Sequence, residues 1–198
     1  MKRLLPLLAC STLLAFLAGC GGQARYVETT GTETIISVEE INIQDWIQAA
    51  DDMTQNLLAS GVLQRTEQQP PVLVVSRIVN NTSEVVDTNL LTKRIRVALN
   101  QSGQALTKTT ATSQGFTEDQ TAREMGELEA MRDPAAAAQA RPDFSLSGRL
   151  IETTARAGKT RQATYTFQLS LTQISTGLAL WEDQVDITKQ GKKPAVGW

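Results

Sequence analysis

Apolar residues follow a helical period in two segments of the chain. In residues 43–58 they recur at steps of three and four, which predicts an amphipathic helix with one apolar face. Asn42 and Asp45 are candidates for capping its start, and Gly61 follows where such a helix should end. The same spacing in residues 88–102 predicts a second helix, with a glycine directly after it.

Other segments follow the period of a β-strand. Residues 72–79 (VLVVSRIV) form an almost continuous β-branched run, which predicts a strand buried on both faces. Three later segments alternate apolar and polar residues, which predicts strands with one buried face: residues 144–150, 165–171 and 178–187. The alternation slips by one between Leu180 and Trp181, so we expect a β-bulge there. Residues 105–110 are compatible with a further short strand.

Two more helices are predicted before the last three strands. Thr117 and Gln120 have the spacing of a capping box, and the helix that they start runs to about Arg132. This helix is polar apart from a thin apolar stripe: Ala122, Met125, Leu128 and Met131. Pro134 starts a short alanine-rich helix. The order of elements predicts a single α/β domain in residues 42–198, a mixed β-sheet of about four to five strands with helices on one face or both.

The front of the chain has a basic start and a short apolar run. Lys2 and Arg3 precede about 15 mostly apolar residues, Leu4 to Ala18. A membrane-spanning helix requires roughly 20, whereas a basic start before a shorter run is typical of a signal peptide. Residues 1–19 are therefore predicted to be a signal peptide that is not part of the fold.

The residues that end this segment, Leu17-Ala18-Gly19-Cys20, closely resemble the lipobox of bacterial lipoproteins. The resemblance implies cleavage before Cys20, an S-diacylglycerol group on its thiol and an N-palmitoyl group on its new amino terminus. Several acyl chains hold a protein stably in a bilayer, whereas one chain does not. Gly21, instead of Asp, follows the cysteine and resembles outer-membrane lipoproteins. We therefore expect a lipid anchor in the outer membrane, on its periplasmic side.

Residues 20–41 are predicted to be a short tether, because they are rich in Gly, Thr and Glu. A segment of 22 residues reaches about 75 Å when fully extended and about 25 Å as a flexible coil. The tether therefore limits which partners the domain can reach.

Composition argues against most enzymatic chemistry. The chain has no histidine, which is the commonest general base and metal ligand. Its two cysteines are Cys10, in the predicted signal, and Cys20, so the predicted domain has neither a disulfide nor a thiolate metal site. We expect a protein that is not an enzyme, with no catalytic residue, metal, cofactor or small-molecule substrate. With 21 acidic and 19 basic residues, the charge does not indicate a nucleic-acid partner.

A cell-wall hydrolase is the enzymatic alternative. A glycosidase needs one acid and one base on opposite sides of a cleft. Adjacent carboxylate pairs of this chain include Glu39-Glu40, Asp51-Asp52 and Glu118-Asp119. They lie near helix starts and on polar helix faces with no motif around them, which disfavours catalysis.

An ordered set of segments resembles the LpoB-like outer-membrane lipoproteins, which activate class A penicillin-binding proteins. The segments are the lipobox at Cys20, the helix start Asp45-Trp46, the strand and turn 72–83, the helix 90–103, the stretch 143–148 (DFSLSG), and Thr176, Gly177 and Trp181 of a late turn. Each motif alone is weakly specific, and their order and spacing carry the resemblance.

The resemblance implies a periplasmic domain without an active site. Such a domain binds a class A penicillin-binding protein and raises its activity in peptidoglycan synthesis. The alternative is a non-enzymatic envelope assembly lipoprotein with the same fold, associated with a flagellum or a secretion apparatus. The short tether favours the alternative, while the order of the segments favours the activator.

Two groups of polar residues are candidate contact sites. The turn Asn80-Asn81-Thr82-Ser83 follows the central strand, where α/β folds tend to place ligands. Asn and Ser also build turns by hydrogen bonding their own backbone, which is the structural alternative. Lys93, Arg94 and Arg96 form either a basic patch for an acidic partner or the solvated face of a helix.

The end of the chain offers further candidates. Lys189 and Lys192-Lys193 are expected in a solvated tail. Trp46 and Trp181 are expected in the core, whereas Trp198 is exposed unless the end of the chain folds back.

Overall fold

A computed structural model describes residues 41–67, 69–110, 119–139 and 141–192. The helices are α1 (Ile43–Ala59), α2 (Thr88–Gln101), α3 (Gln120–Arg132) and α4 (Pro134–Gln139). The strands are β1 (Val72–Asn81), β2 (Leu106–Thr107), β3 (Phe144–Ala157), β4 (Thr160–Gln173) and β5 (Ala179–Lys192). A single 3₁₀ turn, Val62–Gln64, follows α1. None of the helices within these ranges combines the length and the apolar character that crossing a bilayer requires.

The strands form one mixed sheet in the order β2-β1-β3-β4-β5. β1 pairs in parallel with both β2 and β3, whereas β3, β4 and β5 form an antiparallel meander. The predicted α/β fold with a mixed sheet of four to five strands is confirmed, with five strands.

The start of α1 is a capping box that uses both predicted residues. Asn42 Oδ1 accepts a hydrogen bond from Gln44 N at 3.1 Å, and Asp45 Oδ2 accepts one from Asn42 N at 3.1 Å. Two of the backbone donors that a helix start leaves unsatisfied are thereby paired. At the start of α3 the prediction is wrong in detail, because Asp119 accepts from Ala122 N and is the cap.

The core lies between α1, α2 and one face of the sheet. Trp46, which is 1% exposed, meets Tyr165 and Phe167 edge to face, with ring centroids 6.0 Å and 6.1 Å apart. Trp181 is half-buried and packs against the same cluster. The other large buried side chains are Met53, Leu57, Leu63, Leu73, Ile78, Leu91, Ile95, Leu99 and Phe144. Trp46 therefore lies in the core as predicted, whereas Trp181 is only half-buried against it.

The central strand β1 is buried on one face instead of both. Val79 is 47% exposed and Arg77 is also exposed, since α1 and α2 cover only the opposite face. A bulge between Val75 and Ile78 inserts one extra residue relative to β3. The bulge shifts the alternation by one residue, so that Ile78 instead of Arg77 is buried in the core.

The backbone of β3 approaches its neighbours closely beside this bulge. A Cβ atom on Gly148 would lie 2.9 Å from Leu169 Cδ2 and 3.2 Å from Ile78 Cγ1. A glycine at this position therefore allows the side chains of β1 and β4 to meet across β3.

The predicted bulge in β5 is confirmed. Leu171 of β4 pairs with Trp181 and Thr172 pairs with Ala179, which leaves Leu180 as the extra residue. The bulge shifts the alternation so that Trp181, Val185 and Ile187 all pack against the core.

Candidate partner-binding surfaces

The turn after β1 is built by its own side chains. Asn80 Oδ1 accepts hydrogen bonds from Thr82 N at 3.0 Å and from Thr82 Oγ1 at 2.7 Å. Asn80 Nδ2 donates to Glu84 O at 2.8 Å. Asn80 is therefore a turn-building residue, as in the structural alternative, while Asn81 and Ser83 remain exposed.

Ser83 joins this turn to β3. Its backbone N donates to Glu152 Oε2 at 2.9 Å, and its hydroxyl donates to the same oxygen. The hydrogen bond from the Ser83 hydroxyl, with help from Arg161 at 4.0 Å, lowers the pKa of Glu152 below its usual value. The turn and the end of the sheet are thus held together by a carboxylate that favours its ionised form.

Cations gather at the end of the β3–β4 hairpin. Gly158, with φ of 59°, and Lys159 form the two-residue turn, a conformation that glycine adopts without strain. Arg156 lies directly opposite Arg161 in the strand pairing. Two like charges at this spacing destabilise a sheet.

Two cations of β5 complete this group. Lys192 pairs with Thr160 beside the turn, and Lys189 Nζ lies 2.7 Å from Asp45 Oδ2. The hairpin cluster is Arg156, Lys159, Arg161, Lys189 and Lys192. It has more positive charge than Glu152 and Asp45 neutralise, so this end of the domain attracts anionic surfaces.

Most of this cluster was not predicted from the sequence, and the prediction for Lys189 and Lys192 is wrong. Lys189 and Lys192 belong to β5 and not to a solvated tail, and the Lys189 side chain is only 9% exposed. The sequence signal for the rest is RAGKTR, residues 156–161, in which three cations flank a glycine turn. Lys193 and Trp198 lie outside the described residues.

Neither alternative for the α2 cations, a basic patch or a solvated face, describes all three residues. Arg94 binds Asp51 of α1 through two hydrogen bonds, Nε to Oδ1 at 2.7 Å and Nη2 to Oδ2 at 2.6 Å. Arg96 is 7% exposed and lies 3.5 Å from the Thr107 hydroxyl. Lys93 alone of the three lies on the exposed face. These charges hold α2 in place instead of presenting a common surface.

The described carboxylates of the predicted pairs also have structural partners. Asp51 binds Arg94, Asp52 accepts from Gln48 at 2.8 Å, and Asp119 caps α3. Glu39, Glu40 and Glu118 lie outside the described residues. Within the described ranges, no three His, Cys, Asp or Glu side chains are placed to hold a metal ion.

Helix α3 presents a different kind of surface. Met125, Leu128 and Met131 are 54%, 57% and 80% exposed, and α3, which lies wholly within the described residues, has no buried side chain. The thin apolar stripe predicted for this helix therefore exists, but it is turned to the outside.

Comparison with known families identifies the chain. A family model described as the peptidoglycan-synthase activator LpoB matches residues 45–187, most of the chain. The chain belongs to the LpoB family. The resemblance drawn from the ordered segments is thereby confirmed. Membership places the chain among activators of peptidoglycan synthesis in the cell envelope, which act on a protein partner.

Several solved structures are similar to this chain. The LpoB C-terminal domain from Salmonella enterica is 17% identical with a TM-score of 0.44, over 72% of this chain and 98% of that one. The domain from Escherichia coli is 18% identical with a TM-score of 0.41, over the same shares, 72% and 98%. Lipoprotein GNA1162 from Neisseria meningitidis is 17% identical with a TM-score of 0.37, over 61% and 84%. No curated protein matches the chain.

Proposed function

We propose that the protein is a lipoprotein, anchored by Cys20 in the outer membrane, that activates a class A penicillin-binding protein from the periplasm. The observation that carries the proposal is the LpoB family match over residues 45–187. The lipobox at Leu17–Cys20 and the Gly21 that follows it support the anchor and its membrane. The proposal assigns no chemistry to the domain itself.

Activation of this kind is a shift between conformations of the synthase. A bound partner shifts such an equilibrium only by the difference between its affinities for the two states. A tenfold shift requires about 1.4 kcal/mol of differential affinity. A few well-packed contacts on a folded domain supply a difference of this size.

The start of α1 lies beside the hairpin cluster. Asp45 in the first turn of α1 lies 2.7 Å from Lys189, near the end of β5 that pairs with the hairpin turn. The described part of the domain therefore begins beside the hairpin cluster, where Asp45 contacts Lys189. Anionic headgroups attract each nearby Lys or Arg by about 1 kcal/mol, which favours turning this end toward the membrane.

The domain itself extends the reach of the short tether. β3 has 14 residues and spans about 45 Å. The sequence predicts a reach of about 25 Å for the tether as a coil, and the length of the sheet adds to that reach. The proposal needs a synthase that lies within this combined reach.

The anchor is tested by replacing Cys20 with Ala and fractionating the cell envelope. We expect the variant to leave the outer-membrane fraction and appear in the soluble periplasm. An unchanged amount in the outer membrane would show that Cys20 does not hold the lipid.

Activation is tested with the purified chain from residue 20 onward, carrying Cys20→Ala, and a purified class A synthase from the same cell. We expect binding and a faster rate of glycan polymerisation. If the chain neither binds the synthase nor changes the rate, the activator role is refuted and an assembly function in the envelope is favoured.

A further inference from the structure

Helix α3 packs mainly against α4, and none of its side chains is buried. Its partly buried residues are Arg123 and Ala130. At 100° per residue, Ala130 lies about 140° from Met125 and about 160° from Leu128 around the helix axis. Arg123 and Ala130 therefore lie on the side of the helix away from Met125 and Leu128, and the large apolar residues are exposed.

Helix α3 exposes its apolar residues to water, and packing within the described domain does not offset the free energy that this costs. An isolated helix of about 13 residues is marginal in water, and most helices are stabilised by packing an apolar face. α3 has 13 residues and places Met125, Leu128 and Met131 on its outer surface instead. Contiguous exposed apolar side chains mark interaction sites, and methionine adapts readily to the shape of a partner.

The charge of α3 distinguishes three possible partners for its apolar stripe: a second copy of the helix, a lipid surface and a protein groove. Between Asp119 and Asp133 the chain carries five acidic residues and two basic ones. Arg123 pairs with Glu127 and Arg132 pairs with Glu129, both at 2.9 Å, and the segment as a whole has a net charge of −3, from five acidic and two basic residues. A second copy of α3 would repel this charge, and so would an anionic lipid surface. A protein groove with an apolar floor and a Lys/Arg rim complements it.

We propose that α3 docks as a helix into an apolar groove with a basic rim on the synthase, with Met125, Leu128 and Met131 as its anchors. This inference rests on the proposed function. The chain connection supports it, because α3 and α4 lead into Phe144, the end of β3 about 45 Å from the hairpin turn. The helix is thus connected to the end of β3 opposite the hairpin cluster, which is the end that attracts anionic surfaces.

The experiment replaces the three anchors together, Met125→Gln, Leu128→Gln and Met131→Gln, in the purified chain with Cys20→Ala. Glutamine is a good helix former, and the side chains are exposed, so the fold and the Tm are expected to stay unchanged. The matched control changes three exposed apolar residues elsewhere, Val85→Gln, Leu90→Gln and Leu178→Gln. Binding to the purified synthase is measured by surface plasmon resonance at several salt concentrations.

We expect the α3 variant to lose at least tenfold in affinity and to lose stimulation of glycan polymerisation, while the control stays within twofold of the wild type. Glu124→Lys, which leaves the apolar stripe intact, should weaken binding at low salt and have less effect at high salt.

Three results would overturn the docking of α3. If the wild type and the α3 variant bind the synthase equally, the docking is wrong and the activator function stands. If the wild type does not bind the synthase at all, the activator function fails and the docking fails with it. If the stripe instead drives dimerisation in sedimentation, or binding to phosphatidylglycerol vesicles, its occupant is a second copy or a membrane.

Discussion

Arg94 of α2 donates hydrogen bonds to both carboxylate oxygens of Asp51 on α1, with nitrogen–oxygen distances of 2.7 Å and 2.6 Å. The hydrogen bonds to Asp51 raise the pKa of Arg94 above its ordinary value. Because the planar guanidinium makes two hydrogen bonds, it restricts the rotation of α2 relative to α1. A single ammonium group, which acts as a point charge, would not do so.

Arg94→Lys is expected to lower the free energy of unfolding by about 0.5–1 kcal/mol, because one ammonium group cannot make both hydrogen bonds of a guanidinium. The side chain of Arg94 is 39% exposed, so solvent limits the size of the effect. Urea unfolding of Arg94→Lys, Asp51→Asn and the double variant measures the coupling. Additive effects of the two substitutions would show that the pair contributes nothing as a unit.

Glu152 is expected to make stability depend on pH. Because its pKa is lowered in the folded state, its contribution is complete above the unfolded value of about 4.3 and is lost as the pH falls through the folded pKa. The wild type should therefore lose more Tm between pH 6 and pH 3 than Glu152→Gln, which does not titrate.

Ser83→Ala tests whether the Ser83 hydroxyl causes the pH dependence that comes from Glu152. It removes the hydroxyl that contributes most to lowering the pKa of Glu152, so it should reduce stability at neutral pH and flatten the acid dependence. Equal acid losses in the wild type and in both variants would show that Glu152 is not held by Ser83.

Gly148→Ala is expected to destabilise the domain by about 1–3 kcal/mol, because the added methyl group overlaps Leu169 and Ile78. Gly126→Ala is the matched control, since no atom lies within 4 Å of the Cβ position on α3. The control should stabilise the helix by about 0.5–1 kcal/mol. Thermal unfolding measures both, and a neutral Gly148→Ala would show that the strands can move apart at no cost.

Arg156→Thr is expected to stabilise the hairpin by about 0.5 kcal/mol, because it removes one of two cations placed directly opposite each other. The gain should shrink at high salt. Arg156→Lys keeps the charge and serves as the control. If Thr and Lys variants have the same Tm at low salt, repulsion between Arg156 and Arg161 is not what the substitution relieves.

The elements of the core were predictable because local periodicity reports burial directly. The spacing of apolar residues predicted α1, α2 and the three antiparallel strands, and the slip at Leu180–Trp181 predicted the bulge of β5. The strand β1 was harder, because a β-branched run reads the same whether one or both faces are covered. Its second face is open, and a bulge after Val75 decides that Ile78 is buried.

The charged residues were predicted less well, since their partners lie far away in the sequence. Lys93, Arg94 and Arg96 are neighbours on α2, yet Arg94 reaches α1 and Arg96 is buried beside β2. Arg156 and Arg161 become neighbours only when the hairpin forms.

By itself the sequence determined the order of the elements, the resemblance to the LpoB family and the expectation of a lipid anchor at Cys20, because each is a local pattern of residue types. Only the tertiary structure decided which cations cluster at the hairpin and which way α3 faces. A helical stripe shows that a helix has an apolar side, but packing determines whether that side meets the core. In α3 it does not, and Met125, Leu128 and Met131 are left on the surface.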